Sequence, residues 1–333
     1  MSIEIIAELA QGFEGHPEQA RLMMRAAATA GADAAKYQLV FADELATPDY
    51  KYYSLFQTLE MSDKVWQGLV DYASELGIRL QLDIFGSRSL ELANQIGVTE
   101  IKLHGTDIAN ISLLHQLAAS PVSKVLIGAG GANAGEIQQA VDILLGKEVV
   151  ILLGYQGYPT PVEGNQIERV RLAVERYKTH PNVTIGFADH ALPDSTLRYA
   201  LAAMALGAGA KVLEKHLTLG RIMKIEDHES ALNPDEFLEF SQTMRGCIAA
   251  LGNASDTEDF GMTEFEKGYR TMIRRHVVAA SDLKIGDFIA PQDVILKRTS
   301  ATDPVTDLNA AYGKTLKRDV VKNAPITVDN LQG

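Results

Sequence analysis

Short aliphatic runs alternate with longer stretches of helical periodicity from the N-terminus to about residue 251. The runs at Ile3–Ala10, Asp33–Leu39, Arg79–Ile84, Glu100–His104, Lys124–Gly128, Val149–Gly154, Val183–Ala188 and Lys211–Leu217 are mostly β-branched or aliphatic throughout. Strict alternation would mark a half-exposed strand. A continuous apolar run marks one in a parallel sheet covered by helices. Helix signals fall between the runs. Ser62-Asp63 and Asn233-Pro234-Asp235-Glu236 supply N-caps, the second with proline at the first helical position and acids in the first turn. Gly31, Gly77, Gly97, Gly146 and Gly207 each stand where a left-handed residue ends a helix just before a strand. Eight β-then-α units in series predict an α/β fold, a (β/α)8 TIM barrel over residues 1–252. A doubly wound sheet is the alternative, but it normally has fewer strands.

The pattern changes after residue 252. Residues 253–270 are polar and acidic and are expected to form a linker. Residues 271–333 carry short apolar runs, His276–Ala280 and Phe288-Ile289, broken by turn signals at Lys284–Asp287, Tyr312-Gly313-Lys314 and Lys322–Pro325. This predicts a small β-rich module of about 60 residues, near the limit of independent stability, which should lean on the barrel or on a second subunit.

Composition narrows the function. The chain has 31 basic and 43 acidic residues, a formal net charge of −12. That balance argues against nucleic acid or an anionic membrane surface as partner, since both select a basic face. The single cysteine, Cys247, cannot pair within the chain and excludes a cysteine-framed metal site. No run approaches a membrane span, and the N-terminus lacks a secretory pattern, so a cytoplasmic enzyme is expected.

In a β/α barrel the chemistry sits where strands end. The expected strand ends carry Glu8, Lys36, Asp83, Lys102, Gly128, Gln156, His190 and His216. Six of these eight are ionisable on otherwise apolar strands, where desolvation is costly unless they meet partners or ligands. His190 and His216 end the last two strands and are therefore neighbours. Glu214, two residues before His216, shares its strand face. Two imidazoles near a carboxylate suit a divalent transition metal. His104, His115 and His180 are expected to be hydrogen-bonded core residues. Lys36 and Lys102 facing one pocket imply an anion, phosphate or carboxylate, with a Schiff-base lysine as the rival reading. Gly128-Ala129-Gly130-Gly131 between strand and helix could cradle an anion through its amides or be a plain tight turn. No dinucleotide or P-loop spacing is present.

Several motifs together identify a resemblance that runs nearly end to end. They are Ala7-Glu8-Leu9 with Glu14-Gly15, Gly31–Gln38, Tyr158-Pro159-Thr160-Pro161, Ile185–His190, Leu213–Thr218, and Asp227-His228 before Asn233-Pro234-Asp235. In the tail they are Arg274–Ala279, Leu296-Lys297-Arg298 and Tyr312-Gly313-Lys314. The chain resembles the sialic acid (N-acetylneuraminate) synthase family, whose members join a (β/α)8 barrel to a C-terminal antifreeze-like (SAF) domain. The resemblance implies condensation of phosphoenolpyruvate with an N-acylated amino sugar to give a 2-keto sugar acid and phosphate. It implies that His190 and His216 bind manganese or a similar ion, that Glu8 and Asp227 hold the acceptor sugar, and that Lys36 and Lys102 hold phosphoenolpyruvate. Glu214 would sit beside the metal in a supporting or acid/base role, Tyr158 would line the acceptor side, and Gln156 replaces an asparagine of some members. Arg298 would reach the acceptor's acyl group from a partner subunit, in a homodimer with swapped SAF domains.

The departures bear on substrate. Asp83, Gly105, Gly128 and Ala188 stand where the family places hydroxyl side chains around the phosphate, and Thr106 compensates if its loop is shifted by one residue. Gly12-Phe13 replaces a polar pair, and Phe13 either marks a smaller or less hydroxylated acceptor or simply packs under a loop. Each missing neutral hydrogen bond is worth roughly 1 kcal/mol, and a carboxylate at Asp83 repels phosphate unless it is protonated or paired with a lysine. The leading expectation is therefore a phosphoenolpyruvate-dependent synthase. The alternatives are a metal-dependent condensing enzyme with another donor and a non-catalytic sugar-binding relative.

Overall fold

Eight parallel strands close on themselves: β1 (Glu4–Ala10), β2 (Ala34–Leu39), β3 (Arg79–Ile84), β4 (Glu100–Leu103), β5 (Lys124–Gly128), β6 (Glu148–Leu153), β7 (Val183–Asp189) and β8 (Val212–His216). β1 pairs with both β2 and β8, which completes the barrel. This computed structural model describes residues 3–155, 157, 159–252 and 258–332. Gln156 and Tyr158, singled out by sequence, lie outside the described residues. Every strand ends within one residue of its expected limit. Helices follow the strands and bury their apolar faces on the outside of the barrel, as continuous aliphatic strands require.

The barrel interior is built in layers two residues apart, because inward-facing positions recur with period two. At the N-terminal end, Glu4, Gln81, Glu100 and Lys124 close the barrel with charge. Lys124 pairs with Glu4 and lies 3.7 Å from Glu100, and Gln81 Nε2 donates to Glu100 at 2.7 Å. One layer up, Ile6, Ala34, Leu126, Val150, Leu152 and Val212 form a dry plug. The next inward positions are Glu8, Lys36, Gly128 and Glu214, two residues beyond Ile6, Ala34, Leu126 and Val212. Sequence thus converts an apolar floor directly into a charged layer at the C-terminal end, the end where barrel enzymes hold their chemistry.

Helix ends follow the expected signals in part. Asn233 is the N-cap of Pro234–Leu251: its N–H donates to the Glu236 carboxylate at 2.8 Å, while its Oδ1 accepts from Arg221 N–H at 2.9 Å. Gly31, Gly77 and Gly97 have positive φ as expected, but Gly146 and Gly207 do not. The helix Ala200–Gly207 runs through its glycine, and the left-handed turn falls two residues later at Gly209, whose φ is 105°. At Gly146 a Lys147 N–H to Leu144 carbonyl bond closes an ordinary turn instead.

The chain divides into two compact units, Met1–Gly252 and Asn253–Gly333. In the second, Thr263 caps a helix, Glu264–Ile273, that occupies the latter part of the stretch expected as linker. Two antiparallel pairs follow: β9 (His276–Ala279) with β10 (Val294–Lys297), and β11 (Thr315–Leu316) with β12 (Leu331–Gln332). They enclose a core of their own that includes Val277, Ile289, Leu316 and Ile326. Among the described residues no helix is long and apolar enough to cross a membrane.

Candidate active site

The charged layer brings together Glu8, Lys36, Asp83, Lys102 and Glu214, all buried. Lys36 Nζ lies 2.8 Å from Glu8 Oε2 and bonds Glu214 Oε2, while Lys102 Nζ donates to Glu214 Oε1 at 3.0 Å. Lys102 is also 3.6 Å from Glu8 and 3.4 Å from Asp83. Glu214 therefore spans both lysines, one oxygen on each. Three carboxylates share two ammoniums, so the cluster carries a formal excess of one negative charge. Its protons distribute accordingly. Burial pushes Glu8 up to about 7 against the pull of Lys36. Burial also acts to raise Glu214, but Lys102 and Lys36 outweigh it and hold this carboxylate well below its usual range.

Asp83 is fully buried, and no donor among the described residues hydrogen-bonds either of its oxygens. Its charge partner is Lys102 alone of the two lysines. A buried carboxylate left with spare acceptor capacity is costly, so Asp83 is a group that a bound ligand could satisfy.

His190 and His216 are brought side by side, with ring centroids 5.3 Å apart and the planes tilted by 52°. The backbone around them is tied from several sides. Thr160 N–H and Ser230 Oγ–H both donate to the His190 carbonyl, at 2.9 and 3.1 Å, and Leu232 N–H donates to that of His216 at 2.9 Å. Next to each histidine, buried Asp189 and Lys215 pair across the strands at 3.3 Å. His190 Nδ1 lies 2.7 Å from the Tyr155 carbonyl. A carbonyl only accepts, so the proton sits on Nδ1 and the Nε2 atom carries the lone pair. Burial pushes His190 down to about 4 and His216 well below its ordinary value, which keeps both rings neutral. Neutral imidazoles with a backbone carbonyl fixing the tautomer match the donor chemistry of a transition-metal site. No group of three or more His, Cys, Asp or Glu side chains among the described residues could hold a metal. The histidine pair can thus supply two ligands and leave the remaining positions to water and substrate.

Above the charged layer opens a cavity of about 750 Å³. Gln38, Phe85 and His104 in its wall lie two residues beyond Lys36, Asp83 and Lys102, so they form the next inward layer. Gln11 donates to Gln38 across the rim at 2.7 Å, and its backbone N–H bonds the carboxylate of Asp227, which also lines the cavity. Burial raises Asp227 to about 6. Arg298 is exposed, just after β10 in the second unit.

Of the two readings of Gly128–Gly131, the tight turn is the one the structure shows: Ala132 N–H donates to the Ala129 carbonyl and Ala129 N–H to that of Leu152. Three other sequence readings need correction. Phe13 does not face an acceptor. It is completely buried, edge-on to Tyr37 and Trp66 with centroids 5.9 and 5.7 Å away. Thr106 lines the cavity, but its hydroxyl is 3.1 Å from His104 Nδ1 and serves that ring. His104 itself is a cavity residue, and His115 is exposed on its helix. The signal for His104 was present: it stands two positions past Lys102 at a strand end.

The hydroxyl-free positions also have a packing cause. A Cβ on Gly128 would lie 3.0 Å from Gly105 N, and one on Gly105 would lie 3.2 Å from the Gly128 carbonyl. The β4 and β5 ends approach backbone to backbone, so no side chain fits between them without a shift.

A closed eight-stranded β/α barrel with buried lysine–glutamate pairs and a histidine pair at its C-terminal end, followed by a small β unit, places the chain among two-unit β/α-barrel proteins with one charged site at the strand ends. The NeuB family model matches residues 23–256 and the SAF domain model residues 274–332; the chain belongs to the NeuB family. It is 24% identical to the N,N'-diacetyllegionaminic acid synthase of Legionella pneumophila, covering 100% of this chain and 95% of that one. It is 30% identical to the N-acetylneuraminate-9-phosphate synthase of Mus musculus, over 75% of this chain and 71% of that one. Among solved structures it is similar to a Chromobacterium violaceum chain provisionally assigned as spore coat polysaccharide biosynthesis protein E. That match is 23% identical with a TM-score of 0.83, covers 100% of both chains, and supports the fold.

Proposed function

We propose that this chain is a metal-dependent synthase that condenses phosphoenolpyruvate with an N-acyl amino sugar or related aldose, giving a nonulosonate sugar acid and phosphate. The observation that carries the reading is the meeting of Lys36, Lys102, Glu8 and Glu214 with the His190–His216 pair at one end of the barrel. In the balanced reaction, the donor's methylene carbon forms a bond to the aldehyde carbon and the aldehyde oxygen gains a proton. One water is consumed, and phosphate leaves as the 2-keto group forms.

In this reading Lys36 and Lys102 receive the donor's anionic groups, which compete for them with Glu214 and Glu8. Glu8, titrating near neutrality, is suited to hold a proton and pass it to the aldehyde oxygen. Asp227 at the rim accepts hydrogen bonds from acceptor hydroxyls. His190 and His216 would hold manganese or a similar divalent ion, whose contribution when bound is to polarise the acceptor's aldehyde. Gln156 and Tyr158 keep their assigned substrate contacts in the proposal on the strength of the resemblance alone. So does Arg298, reaching the acceptor's acyl group from the partner in a swapped homodimer. A single-chain mass in light scattering would remove that last element.

One observation favours a second reading. Asp83, buried beside Lys102 without a hydrogen bond, is a poor neighbour for phosphate and a good one for a donor bearing a hydroxyl or carbonyl. A pyruvate-like donor is then condensed without phosphate. Phosphate release from phosphoenolpyruvate in the presence of manganese and amino-sugar acceptors separates the two. The first reading expects release, and the second expects none.

A further inference from the structure

We propose that His104 is a donor-recognition residue, whose Nε2–H takes an oxygen of the donor's oxyanion where the strand ends carry no hydroxyls. The proposal deepens the functional reading above and rests on it for the donor's being an anionic three-carbon acid. Its basis is geometric. His104 follows Lys102 by two residues, so it occupies the inward position directly above that lysine, and its ring lines the cavity. Two contacts fix the ring. Phe85 packs against it with centroids 4.8 Å apart, and Thr106 holds Nδ1 through its backbone N–H at 3.3 Å and its hydroxyl at 3.1 Å. A backbone N–H can only donate. Nδ1 therefore carries the lone pair, and the neutral ring bears its proton on Nε2. Burial lowers the proton affinity of His104, which favours that neutral form.

The result is an oriented N–H donor, with no partner for Nε2 among the described residues. It stands in a neighbourhood short of such donors. Asp83, Gly105, Gly128 and Ala188 offer no hydroxyl, and Lys102 is shared among Glu8, Asp83 and Glu214. An oxyanion arriving beside Lys102 needs further donors, and His104 is placed to be one. The hydroxyl of Thr106 acts one step removed, by holding the ring in this orientation.

The test is calorimetric binding of phosphoenolpyruvate, and in a second arm of pyruvate, to the full-length protein and to its His104→Ala and His104→Gln variants. Glutamine returns an N–H close to the position of Nε2. We expect H104A to weaken binding of the donor about ten- to hundredfold, as for a lost hydrogen bond to a charged group. H104Q is expected to recover most of that loss, and the acceptor's KM to stay unchanged in both. Binding by H104A equal to the parent overturns the proposal. So do equal losses in H104A and H104Q, or an effect confined to the acceptor's KM. If the parent binds pyruvate and not phosphoenolpyruvate, the phosphate-donor reading fails, and His104 is judged by the same series on pyruvate. A parent protein that binds neither overturns both.

Discussion

Alanine at His190 or His216 is expected to abolish condensation and to strip the protein of divalent metal. The two rings are 5.3 Å apart between centroids and held neutral by burial, and His190 has its proton fixed on Nδ1 by the Tyr155 carbonyl. Their carbonyls, not their imidazoles, carry the strand-end hydrogen bonds from Thr160, Ser230 and Leu232. Removing one imidazole leaves a single nitrogen ligand, too few to retain a first-row metal in competition with water. A Lewis acid acting on the carbonyl is worth several kcal/mol, so activity should fall by about 10³-fold or more. Metal content after dialysis, measured by mass spectrometry, and turnover measured on the same samples check both halves. Full activity of either variant in metal-free buffer would contradict the assignment.

The barrel was legible because parallel strands under helices have little freedom in composition. Runs such as Lys124–Gly128 and Val183–Ala188 must be apolar on both faces, and their limits followed from where polar residues begin. The ring of charged strand ends was legible for the same reason, since period two places Glu8, Lys36 and Glu214 immediately above Ile6, Ala34 and Val212. What sequence could not supply was the pairing inside the ring. Nothing in the spacing says that Glu214 spans both lysines or that Asp83 pairs with Lys102 and not with Lys36. Phe13 shows the opposite failure. A bulky residue in a substrate-side motif suggested a ligand contact, and tertiary packing with Tyr37 and Trp66 claimed it. A single histidine is usually structural, which hides His104 in the sequence, although its register with Lys102 marks it as inward-facing.

Methionine at Lys36 is the second large effect. Lys36 is completely buried and in contact with both Glu8 and Glu214, so its loss leaves three buried carboxylates with Lys102 alone. Breaking a buried ion pair from one side typically costs about 3–5 kcal/mol, because the remaining charge stays desolvated. Urea unfolding followed by circular dichroism should show a destabilisation of that order in Lys36→Met. The double variant Lys36→Met with Glu214→Gln removes one orphaned charge as well and should recover most of the stability. It should still be inactive, because a lysine assigned to the donor is gone. Because Glu214 is itself a site residue, donor binding by the double variant is read against Glu214→Gln alone: binding lost beyond the single variant, with stability restored, separates a lysine that also seats the donor from one that only neutralises the barrel. A K36M protein as stable as the parent would show that the cluster does not hold its charges as described.

The most direct test of the central claim is phosphate release by the metal-loaded parent protein given phosphoenolpyruvate, manganese and a panel of N-acyl amino sugars and simple aldoses. The account predicts acceptor-dependent phosphate release, matched one for one by a sugar acid three carbons longer than the acceptor. Phosphate at the level of the acceptor-free control across the whole panel, from protein shown to retain its metal, would contradict it.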